Sequence, residues 1–222
     1  MIGTLVPAAA SAEMFRDAPE SSMFPVEAAA VAGAAPERRR EFGTVRHCAR
    51  RALRQLGVPA GPILPDGDRT PSWPAGVVGS MTHCEGYRAA VVARSGELCC
   101  VGIDAEPHDA MPGAALDLVL RDEERAQLDT LADADRGLHW NRILFCAKEA
   151  VYKAWFPPTR RWLDFTDVST SVLPDGTFEA RLRVPGAHLG GTHVDGFSGR
   201  WSVSHGLVMA ATSLTAEASS RP

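Results

Sequence analysis

The sequence predicts an α/β chain of the α+β kind, and three observations predict it. Apolar residues recur at helical spacing in three stretches, short strand-forming runs lie between and after them, and one strand-like segment is echoed near the C-terminus. Ser80-Met81-Thr82-His83 precedes Ala89–Ala93, and Ser202-Val203-Ser204-His205 precedes Leu207–Ala211, 122 residues later in a chain of 222. Four-residue matches also arise by chance, so the echo alone hints at duplication without establishing it.

Taken in order, the elements justify themselves locally. The stretch up to Ala35 is punctuated by Ala and Pro and shows no clear period. Between Pro36 and Gly57 the residues Phe42, Val45, Ala49, Ala52, Leu53 and Leu56 mark one helical stripe, with Pro at the start and Gly just past the end. Its other faces carry Arg38, Arg39, Arg40, Arg46, Arg50, Arg51 and Arg54, either a merely solvated surface or a local basic patch. Residues 61–74 form a turn-rich loop that leads into Val77–His83. Leu98–Ile103 reads as a strand ending at Asp104-Ala105-Glu106, and Pro107–Gly113 as a connector between halves at 1–108 and 109–222. Ala114–Leu131 reads as one helix, with Arg121, Glu123, Glu124 and Arg125 outward. His139–Phe156 is a helix stopped by Pro157-Pro158, residues 164–183 are strands around Pro174-Asp175-Gly176, and a last strand runs from Arg200 to Thr212. The Ala- and Ser-rich tail after Leu214 is expected to be mobile.

The chemistry concentrates in one decapeptide. Of twenty-three cationic side chains only Lys148 and Lys153 are lysine, and both lie within Phe145–Ala154. An otherwise all-arginine composition leaves lysine where a compact, rotatable ammonium is wanted. Glu149 and Lys153 are one helical turn apart, which also describes an ordinary surface ion pair. Upstream, Asp104 and Glu106 point to the same side of their strand, because side chains alternate. Two carboxylates there repel unless a cation or a proton relieves them. With Glu149 they would form an oxygen-rich site of the kind Mg²⁺ favours; two solvated acids at a loop start is the plainer alternative. Likewise His83 can be a ligand contact or a satisfied structural histidine.

Five segments in order resemble the 4'-phosphopantetheinyl transferases of the surfactin and enterobactin type. They are Arg38-x-x-Glu41-Phe42-x-x-x-Arg46, Trp73-Pro74, Gly79-Ser80-x-Thr82-His83, Val101-Gly102-Ile103-Asp104-x-Glu106 and Phe145-x-x-Lys148-Glu149-Ala150-x-x-Lys153. Arg46–Arg50, Thr82–Cys84, Asp104–Asp109 and Phe145–Ala150 are closest to actinobacterial members. The resemblance spans about Arg38 to Trp162.

It implies a pseudodimer of two similar subdomains, each a small antiparallel sheet packed with helices, with the active site in the cleft between them. It implies transfer of the phosphopantetheine arm of coenzyme A to a serine of an apo acyl or peptidyl carrier protein, with release of 3',5'-ADP. Mg²⁺, with Mn²⁺ as an alternative, would be held by Asp104, Glu106 and Glu149, residue 105 being Ala here. Lys148 and Lys153 would face the diphosphate, and Glu149 would be the base. Arg38, Arg46, Thr82 and His83 match positions that contact the phosphates of coenzyme A. Many relatives place lysine before Trp-Pro, where this loop offers Arg69 for the 3'-phosphate. Arg160, Arg161 and Trp162 are a guess for the carrier contact. A Mg²⁺-dependent phosphohydrolase of coenzyme A-like compounds, or a binding module without turnover, would use the same residues.

Composition narrows the partners. A net charge of −4 argues against a nucleic-acid surface. No window is long and apolar enough for a membrane span, and Met1–Ala12 lacks the basic region of a secretory signal. Five cysteines without metal spacing or a disulfide framework suit a reducing cytoplasm. A pseudodimer holding its cleft within one chain is expected to be a monomer.

Overall fold

The computed structural model describes residues 1–19 and 22–216; the predicted mobile tail beyond 216 lies outside them. The N-terminal half contains β1 (Ala10–Met14), α1 (Pro25–Ala30), α2 (Pro36–Gln55), β2 (Val77–Cys84) and β3 (Tyr87–Arg94). Next come β4 (Leu98–Pro107), α3 (Gly113–Val119), α4 (Asp122–Ala134) and α5 (Trp140–Thr159). The chain ends with β5 (Val168–Val172), β6 (Thr177–Leu182), β7 (Ala187–Leu189), β8 (Thr192–Val194), β9 (Gly196–Ser204) and β10 (Leu207–Thr215). The antiparallel sheets have the orders β1-β3-β2 and β4-β10-β9-β6-β5, with β7-β8 a separate hairpin.

Each main sheet is covered by its long amphipathic helix. On α2 the residues Cys48, Ala49, Ala52 and Leu53 are fully buried, and on α5 so are Ile143, Leu144, Ala147, Ala150, Val151 and Ala154. Apart from Cys48, these residues belong to the stripes that the sequence spacing predicts. Helix α5 crosses β4 at Gly102, where a Cβ would stand 1.9 Å from the Ala150 carbonyl oxygen. Glycine is therefore required for the close approach that brings the Lys-Glu segment onto the acidic strand.

Strand β4 pairs with β10, in register Asp104↔Ala210 and Glu106↔Val208, and so forms an edge of the larger sheet. Its other side meets β2 through hydroxyls: Ser80 Oγ accepts from the Ile103 amide (3.1 Å) and Thr82 Oγ1 from the Ala105 amide (3.2 Å). Alternate β2 side chains thus satisfy alternate β4 amides, replacing a backbone ladder between the sheets. The Ser-x-x-His echo falls on matching hairpins, β2–β3 and β9–β10.

Four elements differ from expectation. The predicted helix over 114–131 is two helices, α3 and α4, broken by extended Leu120 and Arg121. Glu124 causes the break: its carboxylate turns inward, accepts the Arg121 amide (2.8 Å) as the N-terminus of α4 forms, and is buried, not outward. The last predicted strand is the β9–β10 hairpin, because His205 and Gly206 both have positive φ (54° and 72°), as a two-residue turn of matching twist requires. Pro157 and Pro158 lie inside the last turn of α5: their fixed φ is helical, but neither has an amide to donate to the turn before, and the chain leaves the helix two residues later at left-handed Arg160. Arg46 and Arg50 are buried. Arg50 is taken inward by fully buried Glu27 (2.7 Å).

Candidate active site

The seam between the sheets builds the site. Asp104, the seventh residue of β4, is buried, and its Oδ1 receives Lys153 Nζ (2.6 Å) and Thr82 Oγ1 (3.1 Å). Thr82 therefore spends its hydroxyl on holding Asp104. Burial alone would lower the Lys153 pKa, but the charge and hydrogen bond of Asp104 outweigh it and raise it. The other oxygen, Asp104 Oδ2, is buried without a hydrogen-bond partner at bonding distance; the Cys146 thiol, raised first by its burial, interacts with the Asp104 carboxylate through both charge and a weak hydrogen bond.

Two further acids surround this pair. Glu106 is pushed up to about 7, first by burial and then by the charge of Asp104, and Arg142 opposes the shift. Glu149 is raised by burial and then by Asp104, with Lys153 opposing. The three expected ligands thus feel one another's charge. They do not close into one donor set: among the described residues no three His, Cys, Asp or Glu side chains are grouped to hold a metal ion. Each acid of β4 is paired through one oxygen with a cation of α5, Asp104 Oδ1 with Lys153 and Glu106 Oε2 with Arg142, which leaves the second oxygen of each outside the pair. A buried carboxylate oxygen with no donor at bonding distance, and two carboxyls raised by burial and then by the charge of Asp104, nevertheless form an all-oxygen set of acids of the kind a divalent cation would relieve.

Arg38 and His83 lie together, with Arg38 Nη1 2.6 Å from His83 Nε2. Arginine can only donate, so Nε2 accepts and the ring proton sits on Nδ1, 3.8 Å from Glu41 Oε2. Burial lowers the His83 pKa; Glu41 opposes this, and Arg38, Lys153 and Arg88 add to it. Arg88, the register partner of His83, is buried and pairs with Asp17 (3.3 Å) and Glu41 (3.4 Å).

Other expected contacts are placed elsewhere. Lys148 Nζ is buried and fully engaged by Glu124 Oε2 (2.7 Å), Phe165 O (2.8 Å) and Val119 O (2.9 Å), so it does not face a diphosphate. Burial lowers its pKa against the raising effect of Glu124. Arg46 donates from Nε to Ile63 O (2.6 Å) and lies over the Phe42 ring, and its burial brings its pKa down to about 10. Arg69 is exposed, at φ 64°. Arg160 binds Asp66 (2.5 Å) and Arg161 the carbonyls of Pro185 and Gly186, while Trp162 is exposed.

Two cavities flank helix α5. One, of about 300 Å³, lies between the 66–79 segment and β4 with the end of α5, and Lys153 lines it. The other, of about 130 Å³, is walled by Glu149, Tyr152, Trp162, Leu163 and Phe165. Sequence reasoning missed Arg142, Arg88 and the inward turn of Glu124. Arg142 was within reach of spacing arguments, because positions 142, 146, 149 and 153 share one helical face.

Comparisons with known proteins identify the family. Residues 26–93 match the 4'-phosphopantetheinyl transferase N-terminal domain, and residues 100–212 match the 4'-phosphopantetheinyl transferase superfamily. The chain is 51% identical to 4'-phosphopantetheinyl transferase Svp of Streptomyces mobaraensis, over 98% of this chain and 91% of that one. It is 50% identical to PptT of Mycobacterium tuberculosis, over 91% and 90%, and 44% identical to Npt of Nocardia iowensis, over 95% and 98%. The similarity therefore extends well beyond the segment from Arg38 to Trp162.

Proposed function

The chain belongs to the 4'-phosphopantetheinyl transferase superfamily, and from that premise we propose how its own residues divide the work. The reaction moves the 4'-phosphopantetheine group to carrier proteins, and the family implies coenzyme A as its donor. Acyl and peptidyl carriers are the acceptors in this reading, the chain acts as a monomer, and it does so in the cytoplasm.

The serine hydroxyl of the carrier attacks the β-phosphorus of coenzyme A. A phosphorus–oxygen bond to serine forms, the bond to the bridging oxygen breaks, and 3',5'-ADP leaves. Glu149 takes the serine proton, through an oxygen not engaged by the metal or through a water that it orients. Lys153, supported by Asp104, places a fixed positive charge where the departing ADP gains negative charge. Arg38 and His83 bind phosphate oxygens, held in place by Glu41 and Arg88. Asp104, Glu106 and Glu149 would hold Mg²⁺, which when bound neutralises charge on the diphosphate.

The observation that carries this reading is buried Asp104, held at Oδ1 by Lys153 of the Lys-Glu helix while Oδ2 has no donor at bonding distance. Mass spectrometry of an apo carrier incubated with coenzyme A and Mg²⁺ tests it. The wild type should add the arm; Glu149→Gln should not, while still binding coenzyme A. A near-normal rate in that variant removes Glu149 from the mechanism, and 3',5'-ADP released without any carrier would mark a hydrolase instead.

A further inference from the structure

Helix α5 presents a second cation to the acidic strand, two turns before Glu149. Arg142 Nη1 donates to Glu106 Oε2 (3.3 Å), and its Nε donates to the carbonyl of Asp109 (3.2 Å), just beyond the end of β4. Both partners of the ion pair are largely shielded from solvent, at 15% and 26% side-chain exposure. One planar guanidinium thus ties the Glu106 carboxylate to the backbone that follows it, a fork that lysine cannot reproduce. That backbone is itself fixed, since the His108 amide donates to Gly206 O (2.8 Å) and the His108 ring nitrogen Nε2 accepts the His139 amide (3.0 Å) at the entry to α5.

We propose that Arg142 is a positioning residue for divalent-cation binding: it holds Glu106 by one oxygen so that the other is aimed at Asp104 and Glu149. The inference rests on the reading of those three acids as metal ligands. Without Arg142 only Lys153, already paired with Asp104, opposes the repulsion between Glu106 and Asp104, and no hydrogen bond among the described residues holds the Glu106 side chain back from water. Outer-shell partners that orient a ligating carboxylate typically change metal affinity by about 10- to 100-fold when removed.

The test is Mn²⁺ binding to the coenzyme A complex, followed by the electron paramagnetic resonance signal of free Mn²⁺, in the wild type, Arg142→Gln, Arg142→Lys and Asp104→Asn. Arg142→Gln should weaken Mn²⁺ by about tenfold or more, with Arg142→Lys between it and the wild type. Coenzyme A affinity measured in EDTA should be the same in Arg142→Gln as in the wild type, which separates loss of positioning from general damage. Unchanged or tighter Mn²⁺ binding in Arg142→Gln overturns the inference, as does an equal loss of coenzyme A affinity in EDTA. Wild type and Asp104→Asn that bind Mn²⁺ alike would overturn the metal reading itself, a result distinct from either of these.

Discussion

Lys153 Nζ stands 2.6 Å from Asp104 Oδ1 and joins the last third of α5 to the acidic strand. The pair fixes where positive charge sits before any ligand arrives. Lys153→Met should lower kcat by about 10²–10³-fold, the range found when one fixed charge-stabilising group is lost. Steady-state kinetics with an apo carrier checks this, and a loss confined to KM would move Lys153 from charge stabilisation to ground-state binding.

Lys148 has a different task from its neighbour in the motif. Its ammonium is sealed with Glu124 and two carbonyl oxygens, so Lys148→Met strands a buried carboxylate and should cost about 3–5 kcal/mol of stability. The double variant Lys148→Met with Glu124→Met should recover part of that loss, because it removes both charges but leaves the Arg121 and Thr170 amides without their acceptor. Urea unfolding of the four proteins of this cycle gives the coupling directly; additive losses would argue against the pair.

The His83 ring should leave a signature in the pH dependence of stability. Its pKa in the folded protein is depressed, by burial first, so the unfolded chain binds the proton more tightly. Protonation therefore favours unfolding. The contribution is intact above the unfolded value of about 6.5 and is lost as pH falls through the folded one. The stability of the wild type relative to His83→Gln should fall on going from pH 7 to pH 5. A difference that stays flat, or rises, contradicts the assignment.

Thiol chemistry gives a simple check on packing. Burial raises the pKa of Cys48 to about 11 and those of Cys84 and Cys100 to about 12, and raises Cys146 well above the ordinary thiol range. Cys99 is partly exposed and lines the larger cavity. A native-state titration at pH 7.5 should label Cys99 alone, and reaction at Cys84 or Cys100 would show a looser seam.

Much of this was legible in the residues. The stripes of α2 and α5 follow from apolar spacing, and alternation along 98–106 puts Asp104 and Glu106 on one side. The parts that were not legible depend on tertiary partners. Glu124 reads as an outward helix residue until Lys148 supplies a buried counter-charge, and with it the break between α3 and α4. Arg46 reads as a surface cation until the Ile63 carbonyl and the Phe42 ring claim it. The β9–β10 turn needed recognition that His205-Gly206 adopts two left-handed residues in succession, which a hydrophobic run on both sides conceals.

A crystal of the protein grown with coenzyme A and Mn²⁺ bears most directly on the central claim. The anomalous map should contain one strong peak within coordination distance of Asp104 Oδ2, Glu106 and Glu149, and bordering the diphosphate. A bound coenzyme A with no such peak, or a peak that engages none of the three acids, would contradict it.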